Sequence, residues 1–183
     1  MNVTFITGNQ NKADYLAKYL GVEVAHQKVD VEEIQSTDLK EITTLKAKQA
    51  YEIVKGPVLV EDVGLTFHAL GKLPGPFIKW FDMELGHEKL CRLLDQFDDR
   101  SATAGCVFAY YDGKDMHLFE ADMKGHIADH PKGDSGYGWD PIFVPEGFDK
   151  TRAEFTPEEY AKSYTASKPF GPFRDFLLAK SGD

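Results

Sequence analysis

The stretch PVLVEDVGLT, residues 57–66, narrows the choice of fold more than any other part of the chain. Val58, Leu59 and Val60 are apolar without alternation, and a strand patterned this way needs cover on both faces, as at the centre of an α/β sheet. Two acids, Glu61 and Asp62, follow at once. An ionised carboxylate is costly to bury and normally pairs with a cation, binds metal or gives up its charge. The sequence puts this pair at the carboxyl end of the strand, the edge of an open α/β sheet where ligands usually bind.

The flanking pattern agrees with an α/β chain. Residues 3–7, VTFIT, read as a strand that stops at Gly8-Asn9, and Ala13, Leu16 and Leu20 then recur at helical spacing. A second strand is expected over residues 22–29. Asp38 with Glu41 three positions on has the form of a capping box, and Leu39, Ile42, Leu45, Ala50 and Ile53 give the next helix an apolar side as far as Gly56-Pro57. After the acids come a Pro/Gly-rich loop, GKLPGP at residues 71–76, and the aromatic segment FIKWF, whose Trp80 and Phe81 are read as core. Leu90, Leu93, Leu94 and Phe97 mark a further helix, residues 103–111 and 116–123 form a hairpin about Asp112-Gly113, and another strand is expected later. One domain over residues 1–183, a mixed sheet flanked by helices with a ligand cleft between two lobes, fits this order.

Charge and cysteine content limit the partners. With 21 basic and 30 acidic residues the formal charge is −9, which argues against binding to duplex nucleic acid or an anionic membrane. Cys91 and Cys106 are the two cysteines, with no CxxC and no histidine cluster, so a reducing setting without a disulfide framework or zinc site is expected. MNVTFITGNQ lacks the basic start and apolar core of a secretory leader, and no apolar run reaches the ~18 residues of a membrane span, so the expected address is the cytoplasm.

Five stretches could carry chemistry. TGNQNK, residues 7–12, lies where a strand passes into a helix, so its amide groups and the positive helix end suit phosphate oxygens, with Lys12 adding a charge. Taken alone, its plainer reading is a Gly-Asn turn with a solvated lysine, and it is not a Walker A loop because no GK[ST] follows. Glu32 and Glu33, in the loop after the second strand, together with Glu61 and Asp62 could share Mg2+ and orient or deprotonate a water. Helix capping or a solvated face is the plainer reading of such acid pairs. LPGPFIKWF presents Lys79 among aromatic rings, and SGYGWDP, residues 135–141, sets Tyr137, Trp139 and Asp140 between glycines, a combination suited to a flat base. None of the six histidines has an i, i+4 partner on a convincing helix, no G-x-S-x-G occurs, and neither cysteine has a catalytic context, so covalent catalysis is disfavoured.

Taken in order, TGNQNK, EEIQ at residues 32–35, GPVLVEDVGL, LPGPFIKWF and GYGWDPIF resemble the inosine triphosphate pyrophosphatase family, also called the Ham1 family, from Thr7 to about Glu154. The resemblance implies an elongated two-lobed α/β fold, usually a homodimer, with the active-site cleft between the lobes. It implies Mg2+-dependent hydrolysis of non-canonical purine nucleoside triphosphates (ITP, dITP, XTP) to monophosphate and pyrophosphate. Carried over by position, Thr7, Gly8, Asn9 and Lys12 would hold the triphosphate, Glu33 and Asp62 the metal, and Asp62 would also activate the attacking water. Lys46 and Lys79 match family cations that contact substrate, while Tyr137, Gly138, Trp139 and Asp140 match the segment that encloses base and sugar.

The chain departs from the family after AEFTPEE. There the family continues with a lysine and then Ser-His-Arg, a set that helps select the 6-keto purine; here those positions are Tyr160, then Tyr164, Thr165 and Ala166. Changed donors alter base selectivity without touching the phosphate residues. This leaves open the same chemistry on another nucleotide, or a nucleotide-binding module without turnover. Lys162 and Lys168 are candidate substitutes, and Pro169 and Pro172 suggest a loop of altered path before the last helix.

Overall fold

The structure, a computed structural model, describes residues 3–21 and 23–181. Val22, the first residue of the expected second strand, lies outside them. Strand β1 (Thr4–Ile6) leads into helix α1 (Gln10–Leu20), capped by Asn9, whose side chain accepts from the Asn11 amide, and closed by Gly21 at φ 70°. Strand β2 (Ala25–Gln27) is shorter than expected. Helix α2 (Leu39–Val54) is capped by Asp38, but the expected box is relayed: Asp38 accepts from Lys40 N, while Glu41 accepts from Ser36 Oγ at 2.7 Å. Its buried face is Ile42, Thr43, Ala47 and Ala50, whereas Ile53 points outward.

Strand β3 (Val58–Phe67) corrects the reading of the acidic pair as a strand end. Glu61 and Asp62 lie within a ten-residue strand. It is parallel to β1 as far as Leu59 opposite Phe5, and antiparallel to β4 (Pro74–Gly75) at Leu65 and Thr66. The acids fall between these two pairings, just past the last residue of β1 that pairs with β3. Gly64 permits the approach of β4, since a Cβ there would lie 2.8 Å from the Gly75 carbonyl carbon.

Helix α3 (Ile78–Arg92) begins inside the aromatic segment and is broken at Gly86, with φ 70° and ψ 166°. The expected helix through Phe97 therefore ends at Arg92, and Phe97 is exposed. Strands β5 (Ser101–Tyr111) and β6 (Met116–Ile127) are longer than expected and are joined by the Asp112 turn; β7 (Phe143–Pro145) pairs antiparallel with β6. Helices α4 (Pro157–Ala166) and α5 (Phe170–Ser181) follow. Pro172 stands in the first turn of α5, where a missing amide costs nothing, so the expected loop is confined to residues 167–169.

Among the described residues the sheet is mixed, in the order β2-β1-β3-β5-β6-β7 with β4 on β3. The chain forms two compact units, one taking residues up to Asp62, Cys106–Glu120 and Lys168 onward, the other Val63–Gly105 and Ala121–Ser167. The first has a core of Ala47, Ala50, Val58, Val60 and Ala109. The second is built on Leu65, Phe67, Ile78, Leu90, Leu94, Ile127 and Phe143. No described helix is long and apolar enough to cross a membrane.

Candidate active site

On the first unit, the turn between β1 and α1 is held by its own side chains. Thr7 N–H donates to the Gln27 carbonyl at 3.0 Å, and Thr7 Oγ1 accepts from Asn9 N–H at 3.0 Å. The amino end of α1, with its partial positive charge, thus sits beside Gly8 and Asn9. A residue that sequence reasoning missed covers this turn: a Cβ on Gly8 would lie 3.2 Å from Lys28 Cδ, so the glycine makes room for the lysine stem. The signal was present as a lysine directly after β2, whose last residue binds Thr7.

Glu61 explains itself through two lysines. Lys168 Nζ lies 2.6 Å and Lys12 Nζ 3.3 Å from the same Oε1, with the Glu61 side chain only 4% exposed. Burial would push this carboxyl up, but the ammonium groups of Lys168 and Lys12 outweigh it and hold the pKa down at about 2. Lys168 therefore belongs to the phosphate-loop side, where it also approaches Cys106 Sγ at 3.7 Å. Both cysteines are free and buried, and burial pushes Cys106 up to about 12 and Cys91 to about 11, consistent with unreactive thiols.

Lys46 of α2 brings the two metal candidates together. Its Nζ lies 2.8 Å from Glu33 Oε1 and 3.5 Å from Asp62 Oδ2. Burial works against the lysine charge, yet Asp62 and Glu33 prevail and raise its pKa. Glu33 is 62% exposed and is placed by Gln49, one helical turn beyond Lys46, which accepts from Glu32 N–H at 2.9 Å and donates to its carbonyl at 3.2 Å. Gln49 was not anticipated. Two carboxylates converging on one cationic group fit a hard divalent ion, and among the described residues no cluster of three or more His, Cys, Asp or Glu offers a fuller cage. That donor set suits Mg2+, which typically takes one or two carboxylates and completes its shell with water and phosphate.

The other candidates lie on the second unit. Lys79, in the first turn of α3, lies over the ring of Trp80 at 5.4 Å. Trp80 is 56% exposed and so is not the core residue expected, because it falls off the α3 face of Ile78, Phe81 and Leu85 that packs against the core. Tyr137 is exposed in a turn between Gly136 and Gly138, while Asp140 is buried. Asp140 Oδ2 accepts from Tyr137 N–H at 2.7 Å and from Tyr160 Oη at 3.0 Å, and Oδ1 faces Arg152 Nη1 at 3.3 Å. Its oxygens thus organise the 137–140 segment.

Tyr160 is therefore the side chain on α4 that meets Asp140, with the Arg152 guanidinium over its ring at 5.1 Å. The capping box of Thr156 and Glu159 fixes the start of α4, so Tyr160, Tyr164, Thr165 and Ala166 are helical. Lys162 is exposed and paired with Glu158 at 2.8 Å. Among the described residues, two buried donors, Trp139 Nε1 and Arg152 Nε, have no hydrogen-bond partner. Neither Arg152 nor the Tyr160 contact was anticipated, since both depend on how the single turn Arg152–Glu154 packs against α4 rather than on local spacing.

The chain is similar to known proteins over nearly its whole length. The sequence profile of the Ham1 family matches residues 3–168. The chain is 44% identical to the inosine triphosphate pyrophosphatase of Yarrowia lipolytica over 99% of its own length and 98% of that protein. It is 43% identical to that of Schizosaccharomyces pombe, over 96% and 95%. Among solved structures it is similar to the Staphylococcus aureus Ham1 protein, with TM-score 0.85 at 26% identity, covering 98% of this chain and 100% of the other.

Proposed function

The chain belongs to the Ham1 family, and we propose that it hydrolyses non-canonical purine nucleoside triphosphates (ITP, dITP and XTP) to the monophosphate and pyrophosphate, clearing deaminated bases from the nucleotide pool. The observation that carries this reading is the convergence of Glu33 and Asp62 on Lys46, on the unit that also carries the Thr7–Lys12 turn. Thr7, Gly8, Asn9, Lys12 and Lys46 take the triphosphate. Tyr137, Gly138, Trp139 and Asp140 take the base and sugar, with Lys79 a further cation toward substrate. Glu33 and Asp62 hold Mg2+, which when bound supplies positive charge to the phosphate oxygens.

In this mechanism Asp62 accepts a proton from a water whose oxygen attacks the α-phosphorus. The bond between the α-phosphorus and the oxygen bridging to the β-phosphate breaks, and pyrophosphate leaves with that bond's electron pair. Lys46 and Lys12 stabilise the charge that develops on the phosphate oxygens. Glu61 pairs with both Lys12 and Lys168 and fixes their ammonium groups. A homodimer and a cytoplasmic address belong to the same proposal; exposed Trp80 and Met83 support the first, and two free buried thiols the second.

The tail favours a second reading of the substrate. Tyr160 presents a neutral hydroxyl to Asp140 where the family has a lysine, so the base side carries one cation fewer. The same hydrolysis on a canonical or otherwise modified base is the alternative. Pyrophosphate release from ITP, XTP, dITP, GTP, dUTP and N-methylated purine triphosphates separates the two. A preference for ITP, dITP and XTP supports the first; faster release from another nucleotide replaces it, and nucleotide binding with no release on any of them removes the enzyme.

A further inference from the structure

The turn that carries Tyr137 is glycine-rich and needs outside restraint. Gly136 and Gly138 stand at φ 89° and 59°, and the Tyr137 ring is 74% exposed. Asp140 holds one side of it through Tyr137 N–H at 2.7 Å. His87 holds the other: its Nε2 lies 2.9 Å from the Gly138 carbonyl oxygen and 3.1 Å from Asp82 Oδ1. A carbonyl only accepts, so Nε2 carries the proton, and the neutral Nε2–H tautomer suffices.

Helix α3 delivers this histidine because it is broken. Residues five apart on an unbroken α-helix point about 140° away from each other, so Asp82 and His87 would diverge. Gly86, at φ 70° and ψ 166°, interrupts the helix between them and allows both to converge on one nitrogen. A Cβ at Gly86 would meet nothing within 4 Å, so it is backbone conformation, not space, that calls for glycine there. His87 also lines, with Asp134, Tyr137, Gly138 and Pro141, a cavity of about 370 Å³, within the ~300–1,000 Å³ range of small-molecule sites.

We propose that His87, oriented by Asp82, is a positioning residue for the nucleobase: it fixes the Gly138 carbonyl, and through it the Tyr137 ring and the approach to Trp139. The proposal rests on the reading that residues 137–140 enclose the base. It predicts that the loop, rather than the phosphate chemistry, suffers when the donor is lost. One hydrogen bond that restrains a mobile turn corresponds to about a five- to tenfold change in binding.

The test compares wild type, His87→Ala and His87→Gln, the last placing an amide N–H where the imidazole Nε2–H stands. His87→Ala should raise KM for ITP by about five- to tenfold with kcat within about twofold, and His87→Gln should restore most of it. Inhibition by inorganic triphosphate, which has no base, should be unchanged in both. Amide hydrogen exchange at residues 136–139 without nucleotide should be faster in His87→Ala. Unchanged exchange overturns the restraint itself, whether or not the protein turns over nucleotide. An unchanged KM, or a His87→Gln variant as impaired as His87→Ala, overturns the donor role. A wild type that releases no pyrophosphate from any triphosphate overturns the functional reading and the nucleobase role with it, even where exchange responds.

Discussion

Lys46 of α2 and Asp62 of β3 meet at 3.5 Å, and Glu33 meets the same ammonium at 2.8 Å. The lysine thus gives Asp62 a cationic partner in a partly buried position, where an unpaired carboxylate would be disfavoured. On the proposed reading a carboxylate so placed, on the unit that also carries the Thr7–Lys12 turn, takes a proton from water. Asp62→Asn should lower kcat by ~10²–10⁴-fold, the usual share of a general base, while the thermal unfolding midpoint moves little. Pyrophosphate release at saturating ITP, with melting as the control, measures this. Full turnover in the variant removes the role given to Asp62.

Glu33 is mostly exposed and reaches Lys46 from a loop that Gln49 pins, so it tolerates substitution without harm to the core. Chelation should abolish turnover and added Mg2+ should restore it. Glu33→Gln should raise the Mg2+ concentration for half-maximal rate several-fold, by about one carboxylate's share of the binding. Titration of rate against free Mg2+ gives the answer, and an unchanged half-saturation point excludes Glu33 as a ligand.

Glu61 makes the clearest pH prediction. Its folded pKa of about 2 lies below the ordinary 4.5, so the folded state favours the ionised form. The stabilisation is fully present above pH 4.5 and is lost as the pH falls through 2, and the shift corresponds to something on the order of 3 kcal/mol. Glu61→Gln leaves Lys12 and Lys168 facing each other without their anion, so it should be less stable at pH 7. It should also lose less stability than wild type between pH 4.5 and 2. Urea unfolding across that range tests the pair; parallel curves would contradict it.

Tyr160 donates to Asp140, whose oxygens also hold Tyr137 N–H and Arg152. Tyr160→Phe should cost about 1 kcal/mol of stability, the worth of one such bond, since Asp140 keeps its other partners. On the proposed reading it should also shift the ratio of kcat/KM between ITP and GTP more than it shifts kcat, because the change falls on the base side. A ratio equal to that of wild type separates Tyr160 from base choice.

Local signals and long-range pairings were legible to different degrees. Gly8-Asn9 announced the turn into α1, and the apolar run 58–60 announced a covered central strand, because turn residues and periodicity are properties of neighbours in sequence. The end of β3 was not legible. Glu61 and Asp62 looked like its stop, whereas pairing with β1 and then with β4 carries the strand on to Phe67. The partner of Glu61 was equally hidden, since Lys168 is 107 positions away and no spacing rule joins them. Trp80 looked like core, but it falls off the face that Ile78, Phe81 and Leu85 turn to the core, a phase that a five-residue aromatic segment does not declare. The candidate site residues were named by type; what the fold added was which of them pair with one another.

The most direct test of the account is hydrolysis of ITP with Mg2+ in water enriched in oxygen-18, with both products analysed by mass. Attack at the α-phosphorus predicts inosine monophosphate carrying one labelled oxygen, together with an equal amount of unlabelled pyrophosphate. Label in the pyrophosphate, or inosine diphosphate and inorganic phosphate as products, would contradict it.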